Sequence, residues 1–179
     1  MKETKKLALS AVSVALGAVF MLIGAVFEPM DLASACLASS LILFVCIEIG
    51  APYTYLVWLA TSLVSFVLFP GAMMWIMYLL LFGIYPILKG YIERLPRFLQ
   101  WISKIVFGAV SLTALFLVIT FILGIPLVGD ELSFLPEPIV YLVLAVLGFL
   151  CFILYDVFLT AAVRVYFTRI RNKIKNILK

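Results

Sequence analysis

The sequence predicts an all-α integral membrane protein, a bundle of six transmembrane helices with both termini cytoplasmic. Three observations predict it. Of 179 residues, 66% are hydrophobic and 12% are charged, about half the charge of a soluble domain. Mean hydropathy is +1.28. The apolar residues form six runs, and threading them back and forth leaves all 13 Lys and Arg on one side, as the positive-inside rule requires. Nothing is left over for a soluble domain, so residues 1–179 read as a single transmembrane domain.

The first span, Leu7–Phe27, is uncharged, and its 21 residues at ~1.5 Å each cross a ~30 Å hydrocarbon core. Ala8, Ala11, Ala15 and Ala18 recur at helical steps and share one face. Ser10, Ser13, Gly17 and Gly24 make a second narrow face. Small residues let backbones approach closely where no water drives helices together. One face can serve packing within the bundle, and one can dock on another membrane protein.

Spans two to four are Leu32–Ile47, Tyr53–Phe69 and Ala72–Leu88, each of 16 or 17 residues, at the lower limit for crossing. Their connections, Glu28–Asp31, Glu48–Pro52 and Pro70–Gly71, are short enough to make successive helices antiparallel neighbours. Pro86 beside Gly83 predicts a kink in span four. Spans five and six are Ile105–Gly124 and Ile139–Val163. Between spans four and five, Lys89–Lys104 reads as a sizeable inner loop. Leu95, Phe98, Leu99, Trp101 and Ile102 alternate there with Arg94, Arg97 and Lys104, the pattern of a short interfacial amphipathic segment broken at Pro96. The tail Arg164–Lys179 has six cations, no acid and an apolar stripe of Phe167, Ile170, Ile174 and Ile177. It reads as a partner for anionic lipid on the inner leaflet rather than for nucleic acid.

The outer side carries only acids: Glu28, Asp31, Asp130, Glu131 and Glu137. Span four enters from that side with Met73, Met74, Trp75, Met77 and Tyr78. Flexible thioethers beside aromatics suit an adaptable apolar pocket as well as an outer aromatic belt. The candidate ligand-binding residues are Met74, Trp75 and Tyr78, with Asp130 and Glu131 from the loop Ile125–Pro138. Outer acids without outer cations disfavour anionic solutes, which leaves a small neutral or cationic one.

Asp156 is the acid set deepest in an apolar run, where it must be protonated or partnered. With Glu48 and Lys89 at the inner ends of spans two and four, it forms a candidate buried-charge latch. Lys89 can reach inward to Asp156 or snorkel to water. Catalysis finds little support. The chain has no histidine, which excludes Ser–His and Cys–His arrangements and His-ligated metals. It has no Gly-rich nucleotide loop, so neither an enzyme nor a cofactor is expected. Cys36, Cys46 and Cys151 read as small hydrophobes.

On these features the chain resembles the substrate-binding S-components of energy-coupling-factor (ECF) transporters. These are six-helix membrane proteins of about this size with cytoplasmic ends. Their first helix carries an Ala-x-x-x-Ala docking motif, matched here by Ala11-Val12-Ser13-Val14-Ala15 and extended by Ala8 and Ala18. The resemblance implies capture of a vitamin-like solute from outside and docking on a coupling transmembrane protein driven by ATPase subunits. It implies residence in the cell membrane. The first outer loop, Glu28-Pro29-Met30-Asp31, is too short to close over a solute. Capture therefore falls to Ile125–Pro138 and the outer part of span four. The alternative is a small scaffold protein without a solute pocket, similar in size and span count to the cell-shape protein MreD.

Overall fold

The computed structural model describes residues 3–27, 30–124 and 136–170. Its helices are α1 (Glu3–Val26), α2 (Asp31–Glu48), α3 (Tyr53–Leu68), α4 (Met74–Met77), α5 (Tyr85–Ile92), α6 (Arg97–Leu117) and α7 (Glu137–Val165). Wider π-helical turns follow α4 at Tyr78–Phe82, α6 at Val118–Ile122 and α7 at Tyr166–Ile170. Five segments are long and apolar enough to cross a membrane: Glu3–Val26, Asp31–Glu48, Met74–Ile92, Arg97–Phe121 and Pro138–Thr168. The apolar α3 is shorter, at 16 residues. The protein is a multi-pass, all-helical membrane protein among its described residues.

The chain divides into two compact units, one running through Tyr91 and resuming at Val157, the other Ile92–Asp156. In the first unit α1 packs on α2 and α3. Close approach explains its sequence. A β-carbon on Gly17 would lie 3.0 Å from the Thr61 side chain, and one on Gly24 would lie 2.2 Å from Ser34 Oγ. Buried serines satisfy their hydroxyls locally, with Ser10 bonding Lys6 O and Ser13 bonding Leu9 O, both at 2.9 Å. Thus helices with little side-chain bulk at the seam bury these serine hydroxyls without leaving them unpaired.

The expected kink in span four takes the form of a widened turn within Met74–Ile92. Gly83 N–H bonds to Tyr78 O, five residues back, at 2.6 Å. That widens the turn and frees the Leu79 carbonyl, which accepts a bond from Trp58 Nε1 at 3.2 Å. Pro86 then sits in the first turn of α5, where its missing N–H costs nothing.

In the second unit α6 and α7 run antiparallel, because later residues of one meet earlier residues of the other. Phe107 stacks obliquely on Phe152 at 6.0 Å, and Phe116 meets Tyr141 edge-on at 5.6 Å. Gly108 faces Phe152 and Gly148 faces Leu112, with β-carbon clearances of 2.9 and 3.1 Å. One expectation is corrected here. The stretch Lys89–Lys104 is not a sizeable loop carrying a separate amphipathic segment. Helix α5 continues to Ile92, and α6 begins at Arg97 directly after Pro96. Phe98, Leu99, Trp101 and Ile102 are the exposed opening turns of that helix. Of the charges that marked a loop, Arg97 and Lys104 lie on α6 itself, and Arg94 falls in the short turn before it.

Candidate functional site

The two small faces of α1 are used differently. Ser10, Ser13, Gly17, Met21 and Gly24 are buried against the neighbouring helices. Ala8, Ala11 and Ala15 are exposed, and Ala18 is half-buried. The Ser/Gly face therefore supplies internal packing, and most of the Ala face is left uncovered.

At the end of α4 nearest Met74, a small pocket with enclosed room for about one water is lined by Met21, Ala25, Ser65, Phe69, Ala72, Met74 and Trp75. Two of the candidate ligand residues, Met74 and Trp75, line it. The third, Tyr78, is fully buried one turn below and is not part of the lining. Met74 occupies the notch left by Gly24, with its sulfur 3.7 Å from Ser34 Oγ. Trp75 packs edge-on to Phe66 at 4.7 Å and bonds the Pro70 carbonyl through Nε1 at 3.3 Å. Asp130 and Glu131 lie outside the described residues.

The three latch residues each have identified contacts. Glu48 accepts a hydrogen bond from Tyr166 OH at 2.5 Å, and Tyr166 also meets Phe44 edge-on. Lys89 is buried, 1% exposed. Its Nζ donates to Thr160 Oγ1 at 2.8 Å and lies 5.9 Å from the Tyr85 ring centre. In the second unit Asp156 is ion-paired with Lys104 at 2.6 Å, with each side chain less than one-fifth exposed. Sequence reasoning missed Lys104 and Tyr166 because both had been given to basic surface segments. The signal for Lys104 was available: extending the helical pattern of span five back to Pro96 puts a cation on the helix opposite the one acid of span six.

The Lys104–Asp156 pair yields a measurable coupling. Replacing Lys104 by Met leaves a poorly hydrated carboxylate without this partner. A double-mutant cycle with Lys104→Met and Asp156→Leu, read by unfolding in detergent, is expected to give about 1–3 kcal/mol of coupling. A cycle that closes to zero would place the pair in effectively aqueous surroundings.

The opening of α1 is tied to α3 by a surface cluster. Glu3 accepts from Lys6 Nζ at 2.7 Å and from Tyr53 OH, and Lys6 lies over the Tyr53 ring. The exposed Ala face begins directly above this anchored turn. In comparisons with known proteins the chain matches no family model, no curated protein and no solved structure.

Proposed function

We propose that the chain is the substrate-binding subunit of a membrane transporter. In this reading it captures a small neutral or cationic, vitamin-like solute from outside. It then docks on a coupling transmembrane protein driven by ATPase subunits, in the manner of the ECF S-components that it resembles. The observation that carries the reading is the division of α1: its Ser/Gly face is consumed by internal packing, while Ala8, Ala11 and Ala15 remain uncovered. A strip of small residues on a membrane helix is poor at filling lipid-facing space and good at admitting another backbone. The pocket at Met74 and Trp75 is the matching place for solute. The basic tail Arg164–Lys179 holds anionic lipid on the cytoplasmic side, with both termini there.

Affinity purification of the tagged chain in mild detergent, with mass spectrometry of proteins and small molecules, tests this. A coupling protein, two ATPases and a bound solute are the expected companions. Recovery of cell-shape proteins and no solute would instead favour the MreD-like scaffold. One observation favours that second reading: the pocket has enclosed room for about one water, far below the ~300 Å³ at which ligand sites usually begin.

A further inference from the structure

Three hydroxyls in the first unit are buried without hydrogen-bond partners: Thr54 Oγ1 near the start of α3, Thr61 Oγ1 further along α3 and Tyr78 OH on the π-helical turn. Their residues are 1%, 1% and 0% exposed. The Thr61 and Tyr78 hydroxyls face one another, close enough to interact but outside strict hydrogen-bond geometry. Polar groups left this way carry their full desolvation cost, and each such group in a folded protein calls for a reason. Ser62 and Ser65 on the same helix avoid this cost by bonding the carbonyls of Trp58 and Thr61.

The position of the pair supplies the reason. The pocket is lined by Met21, Ser65 and Met74. Gly17, Thr61 and Tyr78 lie one helical turn away on the same three elements, four residues from each. The hydroxyls thus lie beneath the pocket, one turn in. Gly17 keeps the space beside Thr61 narrow but free of a side chain. Met74 has three rotatable side-chain bonds and only a weak polar contact, to Ser34, so it is the lining residue most able to move aside. The wide turn that carries Tyr78 is a form of helix often found at functional sites.

We propose that Thr61 and Tyr78 form the polar end of a binding site whose apolar part is the Met21–Met74–Trp75 pocket. The site takes a small, neutral ring-bearing solute with one uncharged group that both donates and accepts hydrogen bonds. The inference rests on the solute-binding reading above and narrows its ligand from neutral or cationic to neutral. None of the seven lining residues is ionisable, so a charged head would be buried without a counter-charge.

The test uses the full chain in lipid nanodiscs and three near-isosteric probes: benzamide, benzoate and benzylamine. Ligand-detected NMR and thermal shift are the readouts. Benzamide is expected to bind saturably, and the two charged probes at least tenfold more weakly. Thr61→Val and Tyr78→Phe remove only the hydroxyls. Each is expected to weaken benzamide at least tenfold with no fall in Tm, because no native bond is lost. Met74→Ala is expected to tighten it. Absence of saturable benzamide binding, unchanged benzamide affinity in both hydroxyl variants, or equal binding of the charged probes would overturn the proposal. A drop of several degrees in Tm for both hydroxyl variants would also overturn it, since the hydroxyls would then have partners of their own. If purification still recovers the coupling proteins while benzamide fails, this inference alone falls. If benzamide binds but no coupling protein is recovered, the transport reading falls.

Discussion

On the proposed docking, replacing Ala11 and Ala15 together by tryptophan is expected to abolish co-purification with a coupling protein while leaving the chain folded. Both alanines are exposed on α1, so the added rings meet lipid rather than the α2 and α3 seam. Stability should change by no more than about 0.5 kcal/mol. A partner helix seated on the alanines has no such freedom. Close backbone contact is what a small-residue face provides, and two indoles hold the helices apart. The control is Gly17→Trp on the opposite face, where a single β-carbon already comes within 3.0 Å of Thr61. That variant should fail to fold. Pull-down and detergent thermal melts, run on both variants, separate the outcomes. Undiminished recovery of the coupling proteins with Ala11→Trp/Ala15→Trp would remove α1 as the docking surface.

The second large effect is expected at Gly83. A β-carbon there would sit 2.3 Å from Trp58 Cδ1 and 2.8 Å from the Tyr78 carbonyl oxygen. Neither neighbour is the tip of a flexible chain: one is a rigid ring, the other is backbone. Gly83→Ala must therefore displace the indole and break its bond to Leu79 O, or shift the wide turn itself. Overpacking of this kind costs about 1–3 kcal/mol, and the orphaned carbonyl adds to it. Trp58→Phe loses the bond but keeps the ring, so it should cost less. Unfolding in detergent measures both. Equal stability of Gly83→Ala and the parent would show that the turn relaxes freely.

Much of the architecture was legible in the sequence, since hydrophobic runs of helix length and one-sided basic charge follow directly from lipid as solvent. The first three spans agree with α1, α2 and α3 within a few residues, and Gly83 with Pro86 mark the widened turn of the fourth. The start of α6 is harder to place, because Arg97 and Lys104 read as loop charges, although Pro96 is a good helix-start signal. Partners were harder to read. Whether Asp156 meets Lys104 depends on the register of α6 against α7, which glycine notches and ring contacts decide. Glu48 and Tyr166 are 118 residues apart, and no local pattern joins them. The Ala face was legible as small but not as exposed, because periodicity shows that residues share a face and not which face is covered. The buried Thr61 and Tyr78 hydroxyls left no sequence signal, since threonine and tyrosine are ordinary residues of apolar helices.

The unequal lengths of α3 and α7 have a consequence for where the protein can reside. The 16 residues of α3 extend about 24 Å, and the 29 of α7 about 43 Å, against a hydrocarbon thickness of ~30 Å. Hydrophobic mismatch therefore acts on them with opposite sign. Longer acyl chains relieve α7, which otherwise tilts, and strain α3, which must pinch the leaflets inward. Neither thin nor thick lipid suits both helices, so a bilayer of intermediate thickness is the compromise that costs this chain least.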